Sequence, residues 1–419
     1  MKIILIAGVV MPVLFQGCGS TLLQEKKLSE GRPHLELELS SQDYQALLSQ
    51  RGSDDKERPD LLDDIVRYGG RMLKWVDYLN ARRPTPLELT SAETQIGYPV
   101  DQPKFSNVRI VEANWSELAS KLPSLMTQVI VEGNDFVDLA GLSDEDFLEN
   151  ARSLNMIYQS ASRWILQEPV LASYAARSGS DIRGYYFFKG IENLESFLKT
   201  DWSTNPSQSL ARDSLVNMCN NTRASRSKCK SELDQSEAER GEVYTFYQKY
   251  LKGSKEVWDS YFEMSNPRSD VSWSDALMTV PFANPRNQVV QDWLQVNVED
   301  EWRFGDWQLK LNFKDPSSPF SSITRIKFEP GTTPHVNGIG GSTITMDANL
   351  PLQEYNSRWT IRHEYGHVLG FPDCYVEFYD TDARHMVSYQ LDITNLMCSR
   401  RGHLKQEHFD RLKSAYATR

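Results

Sequence analysis

The chain has 419 residues, a net charge of −11, 40% hydrophobic residues and 25% charged residues. That length favours two or three domains over one, and the composition is that of a globular protein rather than a disordered one. The acidic balance excludes the broad basic surface that nucleic acids require, so no nucleic-acid partner is expected.

In chain order, the first element is a leader. Lys2 precedes an apolar run from Ile3 to Phe15, too short for a spanning helix and of signal-peptide length, so residues 1–17 read as a signal peptide. The run ends in Gly17-Cys18-Gly19-Ser20, which resembles a bacterial lipobox. The resemblance implies that Cys18 is lipidated and that an exported chain is anchored by it to the membrane of the cell envelope. With Gly19 after the Cys, this is the outer membrane if the source is Gram-negative. An ordinary signal peptide cut nearby is the alternative. Residues 18–35 are polar and read as a tether. No later segment is long and apolar enough to span a bilayer. Export also bears on the remaining cysteines, Cys219, Cys229, Cys374 and Cys398, which an oxidising compartment would pair. The local pairing is Cys219 with Cys229 and Cys374 with Cys398. The other connectivities, and four free thiols, stay open.

Residues 36–270 read as a mostly helical domain of unknown role. Ser143 to Asp146 is a capping-box-like start, and behind it Phe147, Leu148, Ala151, Leu154, Tyr158, Ala161 and Trp164 recur at helical spacing until Pro169. A second long helix carries Val243, Tyr247, Tyr250, Leu251, Val257, Trp258 and Tyr261, with Asn266-Pro267 closing the run. The polar stretch 203–230 reads as a surface excursion. After Pro267 the texture changes. A strand is expected over 276–282, then a helix capped by Asn284 with Pro285 at its first position and Val289, Trp293, Val296 and Trp302 on its apolar face. Trp307, Leu309, Leu311 and Phe313 alternate as a half-buried strand, Ile326-Lys327-Phe328 form another, and Ile344, Met346 and Ala348 alternate in a third. The expected fold is therefore α+β, with a helical region followed by an α/β unit over 271–419 that carries a mixed twisted sheet.

The chemistry concentrates on the next helix, expected from about 354 to 369. His363 and His367 are four apart and project from one face, the spacing that two ligands of one tetrahedral ion need. Glu364 can reach a water on that ion without being a ligand and take its proton, since zinc lowers the pKa of such a water toward neutrality. Gly370 can end the helix in a left-handed conformation, and Pro372 forbids its continuation. The chain then turns, and Asp373 can return as third ligand, leaving one position open. Asp380, Asp382 and His385 in the following loop are the competing third ligands. Glu377 and Glu407 fail the spacing of other zinc sites, and His335, His403 and His408 are expected not to bind.

His363-Glu364-x-x-His367-x-x-Gly370-x-x-Asp373 resembles the metzincin clan of zinc peptidases in its Asp variant, similar to the snapalysins. The resemblance covers about residues 271–419. It implies one catalytic Zn2+ held by His363, His367 and Asp373, with Glu364 as general base. It implies a Met-turn at Asn395 to Ser399 with Met397 beneath the metal, and a closing helix over 404–416. It also implies an antiparallel edge strand at 342–350, along which an extended polypeptide substrate is hydrolysed. The Tyr that many members place after the Met-turn is missing, and Tyr389 or Arg400 is the substitute to consider for the oxyanion. A Cys374–Cys398 disulfide would tie the residue after the third ligand to the residue after Met397, stiffening the metal floor. A structural Ca2+ is permitted by acidic positions such as Asp380 and Asp382 but not indicated. The implied function is a zinc endopeptidase acting on extracellular or periplasmic proteins. The rival is a surface binding or adhesion lipoprotein whose zinc domain is vestigial or self-processing.

Overall fold

The computed structural model describes residues 60–91, 97–199, 208–239, 242–274, 276–315, 323–330 and 332–417. The expected signal peptide, Cys18 and the tether lie outside the described residues. Among the described residues no helix is long and apolar enough to cross a membrane.

Helix α1 (Asp60–Asn80), strand β1 (Lys104–Ser106), helix α2 (Val108–Ala119) and helix α3 (Asp144–Gln167) come first. Ile65, Met72, Leu73, Trp75 and Val76 of α1 are fully buried. The helix crosses α3 at Gly69, where a β-carbon would come 2.4 Å from the Tyr158 ring, so only glycine allows so close an approach. The start of α3 is as expected: the Ser143 hydroxyl accepts from the Asp146 N–H at 3.1 Å, and Asp144, Glu145 and Asp146 place negative charge at the positive end of the helix. The apolar stripe from Phe147 to Trp164 is largely buried, and the α-helix stops before Pro169.

Residues 208–230, the described part of the stretch read as a surface excursion, are instead mostly helical and packed. Helices α4 (Gln208–Asn220) and α5 (Arg226–Ala238) form a hairpin against α6 (Glu242–Ser260), around Leu215, Val216, Met218 and Leu233. Most of its polar residues form the outer face of helices whose apolar residues, Leu210 excepted, mainly point inward. A Cys219–Cys229 disulfide closes the hairpin.

Strand β2 (Ser272–Ser274) turns back onto β3 (Leu277–Ala283), the expected strand. Helix α7 (Gln288–Leu294) starts later than expected. Asn287, not Asn284, is its N-cap, accepting from the N–H groups of Val289 and Val290 at 3.0 and 3.2 Å. Asn284 bonds the Arg286 N–H instead, and the left-handed backbone of Arg286 (φ 57°) keeps the helix from starting there. A wide turn over Gln295–Glu299 then shifts the stripe, leaving Val296 59% exposed while Trp302 is fully buried.

Strands β4 (Arg303–Phe304) and β5 (Trp307–Lys314) follow, with β5 alternating in burial as its sequence demands and running parallel to β3. Strands β6 (Arg325–Glu329), β7 (His335–Val336) and β8 (Thr343–Asp347) make a second mixed sheet in the order β6–β8–β7. An isolated parallel bridge between Phe282 and Thr324 links β3 to the residue just before β6, between two otherwise separate small mixed sheets. This corrects two expectations. The strand at 342–350 is flanked on both sides, and the antiparallel edge is β7. The polar positions Thr345 and Asp347 of β8 are buried too, and the Tyr158 hydroxyl of α3 donates to Asp347 at 2.9 Å.

Helix α8 (Tyr355–Leu369) carries the motif. A hairpin of β9 (Tyr375–Asp380) and β10 (His385–Gln390) follows where a loop was expected, and α9 (Gln406–Tyr416) closes the chain. Strand β1 pairs antiparallel with β10, so the helical region contributes a strand to the C-terminal part.

Candidate metal centre

The first turn of α8 is anchored from far along the chain. Glu354, its N-cap residue, makes no cap bond of its own. Its buried carboxylate accepts from the N–H groups of Leu89 and Thr90 and from the Thr90 hydroxyl at 2.9 Å. That hydroxyl in turn accepts from the Asn356 N–H at 3.0 Å, satisfying a donor at the helix start that no intrahelical carbonyl can reach. The other end behaves as the sequence demands. Gly370 is left-handed (φ 103°), and its N–H bonds the last turn. A β-carbon there would sit 2.5 Å from the Ser265 carbonyl oxygen, so position and conformation both require glycine.

This turn delivers Asp373 to the histidines. His363 Nε2 lies 3.1 Å from His367 Nε2, and Asp373 Oδ1 lies 3.1 Å from each. The far nitrogens of both rings face backbone carbonyls: His363 Nδ1 faces Leu396 at 3.1 Å, and His367 Nδ1 faces Phe371 at 2.8 Å. A carbonyl only accepts, so each Nδ1 carries a proton, and either ring, when neutral, turns an Nε2 lone pair toward Asp373. Three acceptors thus converge with no donor among them. Only a proton or a cation relieves that, and ligands of tetrahedral zinc stand about 3.3 Å apart. The residues fit the ion in donor type, number and spacing.

The ionisation of the site agrees. Burial acts against the charged form of the His367 imidazole, but the Asp373 charge and hydrogen bond outweigh it and raise the ring to about 10. Burial likewise opposes ionisation of Asp373, yet the two imidazoles hold its carboxyl well below the usual range. Glu364 offers a carboxylate oxygen within 4.8 Å of ligand atoms on both histidines. Its Oε2 is buried without a hydrogen-bond partner, and burial pushes its carboxyl up against the pull of His367 and His363. A buried carboxylate oxygen left unpaired costs stability, of order 1–3 kcal/mol, and such a cost is found where a group is kept for chemistry.

Met397 packs against the motif helix at Gly366, between the two histidines. Its N–H bonds Asn395 Oδ1 at 2.8 Å, its carbonyl accepts from the Cys374 N–H at 3.0 Å, and Cys374 is disulfide-bonded to Cys398. The expected local pairing of all four cysteines is the one found.

Other expectations change. Asp380 accepts from the N–H groups of Asp382 and Ala383, both at 3.0 Å, closing the β9–β10 turn, and the His385 ring packs on Phe105. None of these three joins the cage. Glu377 pairs with Arg163, Glu407 with Asn395, His403 with Glu301, and His408 with Asn395. Tyr389 is excluded as an oxyanion donor because its buried hydroxyl donates to Asp181 and accepts from the Ile182 N–H. Arg400 bonds Gln159 at 3.1 Å.

Several residues that shape the site give no sequence signal. The Leu396 and Phe371 contributions are backbone carbonyls. Trp359 packs against the His363 ring (centroids 4.7 Å apart), and Tyr375 stacks on it at 6.3 Å. Only Trp359, one turn before the first ligand, could have been suspected from helical spacing.

No family model matches the chain, and no curated protein and no solved structure matches it.

Proposed function

We propose that the protein is a zinc-dependent endopeptidase with a metzincin-like catalytic region, exported and anchored to a membrane through Cys18. One observation carries the reading: two imidazoles and a carboxylate meet at 3.1 Å with both Nδ1–H donors turned away, and a buried carboxylate with one unpartnered oxygen lies beside them. His363, His367 and Asp373 would hold the ion. When bound, it supplies a Lewis acid for a peptide carbonyl and acidifies water. Glu364 takes the proton from the attacking water and returns it to the departing amine. The histidines keep their orientation through the carbonyls of Leu396 and Phe371, so both lone pairs stay aimed at one point. Strand β7 offers the antiparallel edge along which an extended polypeptide can pair. Two disulfides accord with an oxidising compartment.

The test combines metal content with activity on an unfolded protein. One zinc per chain is expected, with cleavage abolished by a chelator and restored by zinc. A chain that holds no zinc after dialysis against it, or that cleaves equally well with Glu364→Ala, overturns the proposal.

A further inference from the structure

We propose that Trp302 is a positioning residue for the metal site, holding the motif helix so that the Nε2 atoms of His363 and His367 stay aimed at one point. The inference rests on the metal-binding part of the proposed function and extends it to a residue outside the motif.

Trp302 meets the frame of the site at three places. Its indole N–H donates at 3.1 Å to the carbonyl of Arg362, the residue before the first ligand. A carbonyl has two lone pairs, so this bond is compatible with the one the helix uses. Its ring lies against Gly366, the residue before the second ligand, where a β-carbon would come within 3.1 Å of it. It also packs on the Phe371 ring, with centroids 5.7 Å apart, and the Phe371 carbonyl faces His367 Nδ1 at 2.8 Å. One fully buried indole thus adjoins the residue ahead of each histidine and the residue that orients the second ring.

The chain around Trp302 is built to hold that place. The wide turn over Gln295–Glu299 carries Asn297, whose side-chain oxygen accepts from the Arg362 guanidinium at 3.3 Å and whose side-chain N–H donates to the Trp293 carbonyl at 2.8 Å. Glu301 accepts from the same guanidinium at 3.3 Å and from the Leu404 N–H at 2.9 Å. Arg362 is therefore gripped by its carbonyl and by its guanidinium from a single short stretch. The Trp302 backbone is fixed in turn: its N–H bonds the Val298 carbonyl at 2.9 Å, and its carbonyl accepts from Leu309 of β5 at 2.8 Å. Wide turns within helices recur at functional sites. A metal constellation tolerates displacements of only about 0.5 Å, so the loss of one bond on this side should register at the ion.

Trp293 supplies the matched control. It is buried in the same core, and its indole N–H also donates to a backbone carbonyl, that of Leu352 at 2.8 Å, which lies outside the motif helix.

The experiment uses the full chain with 15N-labelled histidine, of which there are seven, in metal-free, zinc and cobalt forms. Trp302→Phe and Trp293→Phe each remove one indole N–H from a backbone carbonyl. Trp302→Phe should weaken zinc binding about tenfold, change the visible bands of bound cobalt and shift the His363 and His367 signals of the metal-free chain. Trp293→Phe should lower the melting temperature comparably and leave those three readouts as in the wild type. Where Trp302→Phe does not fold, Trp302→Tyr takes its place with the same outcomes. A folded Trp302 variant with wild-type zinc affinity and histidine signals overturns the proposal. Equal effects of the two substitutions also overturn it, because they reduce Trp302 to core packing. A wild-type chain that binds neither zinc nor cobalt sinks the metal reading, and the metal-free histidine signals then decide the role of Trp302 by the same comparison.

Discussion

The sulfur of Met397 occupies the space that a side chain on Gly366 would need: a β-carbon there would lie 2.3 Å from Met397 Sδ and 3.1 Å from Trp302. The motif helix can therefore rest on the Met397 turn only where residue 366 has no side chain, and this residue sits between the two histidines. Gly366→Ala should lower stability by about 2–3 kcal/mol, the usual cost of overpacking, and reduce zinc occupancy. Trimming the sulfur side chain in Gly366→Ala/Met397→Ala should recover part of the binding. Thermal unfolding with zinc content on both variants measures this, and an unaffected Gly366→Ala chain would show that the contact is not close in solution.

Glu364 separates stability from activity. Its Oε2 is buried without a partner. Glu364→Gln should lower cleavage about a thousandfold while zinc stays bound and the melting temperature does not fall. Parallel loss of zinc and stability would instead make Glu364 a structural residue.

The turn that carries Met397 should be sensitive to acid through His408. This imidazole accepts from the Lys405 N–H at 2.9 Å and meets Asn395 Oδ1 at 3.0 Å, the same oxygen that holds the Met397 N–H. Burial, then the charges of Lys405 and Arg411, pull it down to about 4 from 6.5. A histidine whose folded pKa is depressed binds protons more readily unfolded. Its stabilising contribution is complete above pH 6.5 and is lost as pH falls toward 4, about 3 kcal/mol over the window. Denaturant titrations from pH 7 to pH 4 should show this slope, and His408→Gln should flatten it.

The Cys374–Cys398 bond closes a loop with a sequence separation of 24 that contains β9 and β10. Cys374→Ser/Cys398→Ser should cost roughly 3 kcal/mol and weaken zinc binding, because the bond adjoins both Asp373 and Met397. Unchanged zinc affinity in a folded double variant would confine the bond to stability.

The helical region should not be removable. Leu89 and Thr90 hold Glu354, Tyr158 holds Asp347, and β1 pairs with β10. A chain restricted to 271–419 loses all three, and with them the donors that Leu89, Thr90 and Tyr158 supply to Glu354 and Asp347. It should express as an aggregate, and limited proteolysis of the full chain should not release it as a folded piece.

How much was legible varied by distance along the chain. The Ser143 cap, the α3 stripe and the β5 alternation were readable because each depends on residues within a few positions. The hairpin α4–α5 was misread because its polar outer face outweighs its apolar inner one in composition. The β9–β10 hairpin was missed because its strands, Tyr375–Asp380 and His385–Gln390, mix polar and apolar residues without a clear turn signal.

What the sequence determined by itself was the cage. Helical periodicity sets His363 beside His367, and a left-handed glycine followed by proline returns Asp373 within eleven residues, so short-range geometry suffices. Tertiary structure alone decided what orients and covers that cage: the carbonyls of Leu396 and Phe371, the Thr90 hydroxyl at the helix start, Met397 against Gly366, and the Tyr375 ring stacked on His363. The physical reason is that most of these contacts join residues far apart in the chain, and others are made by backbone atoms that every residue possesses, so no pattern of residue types encodes them.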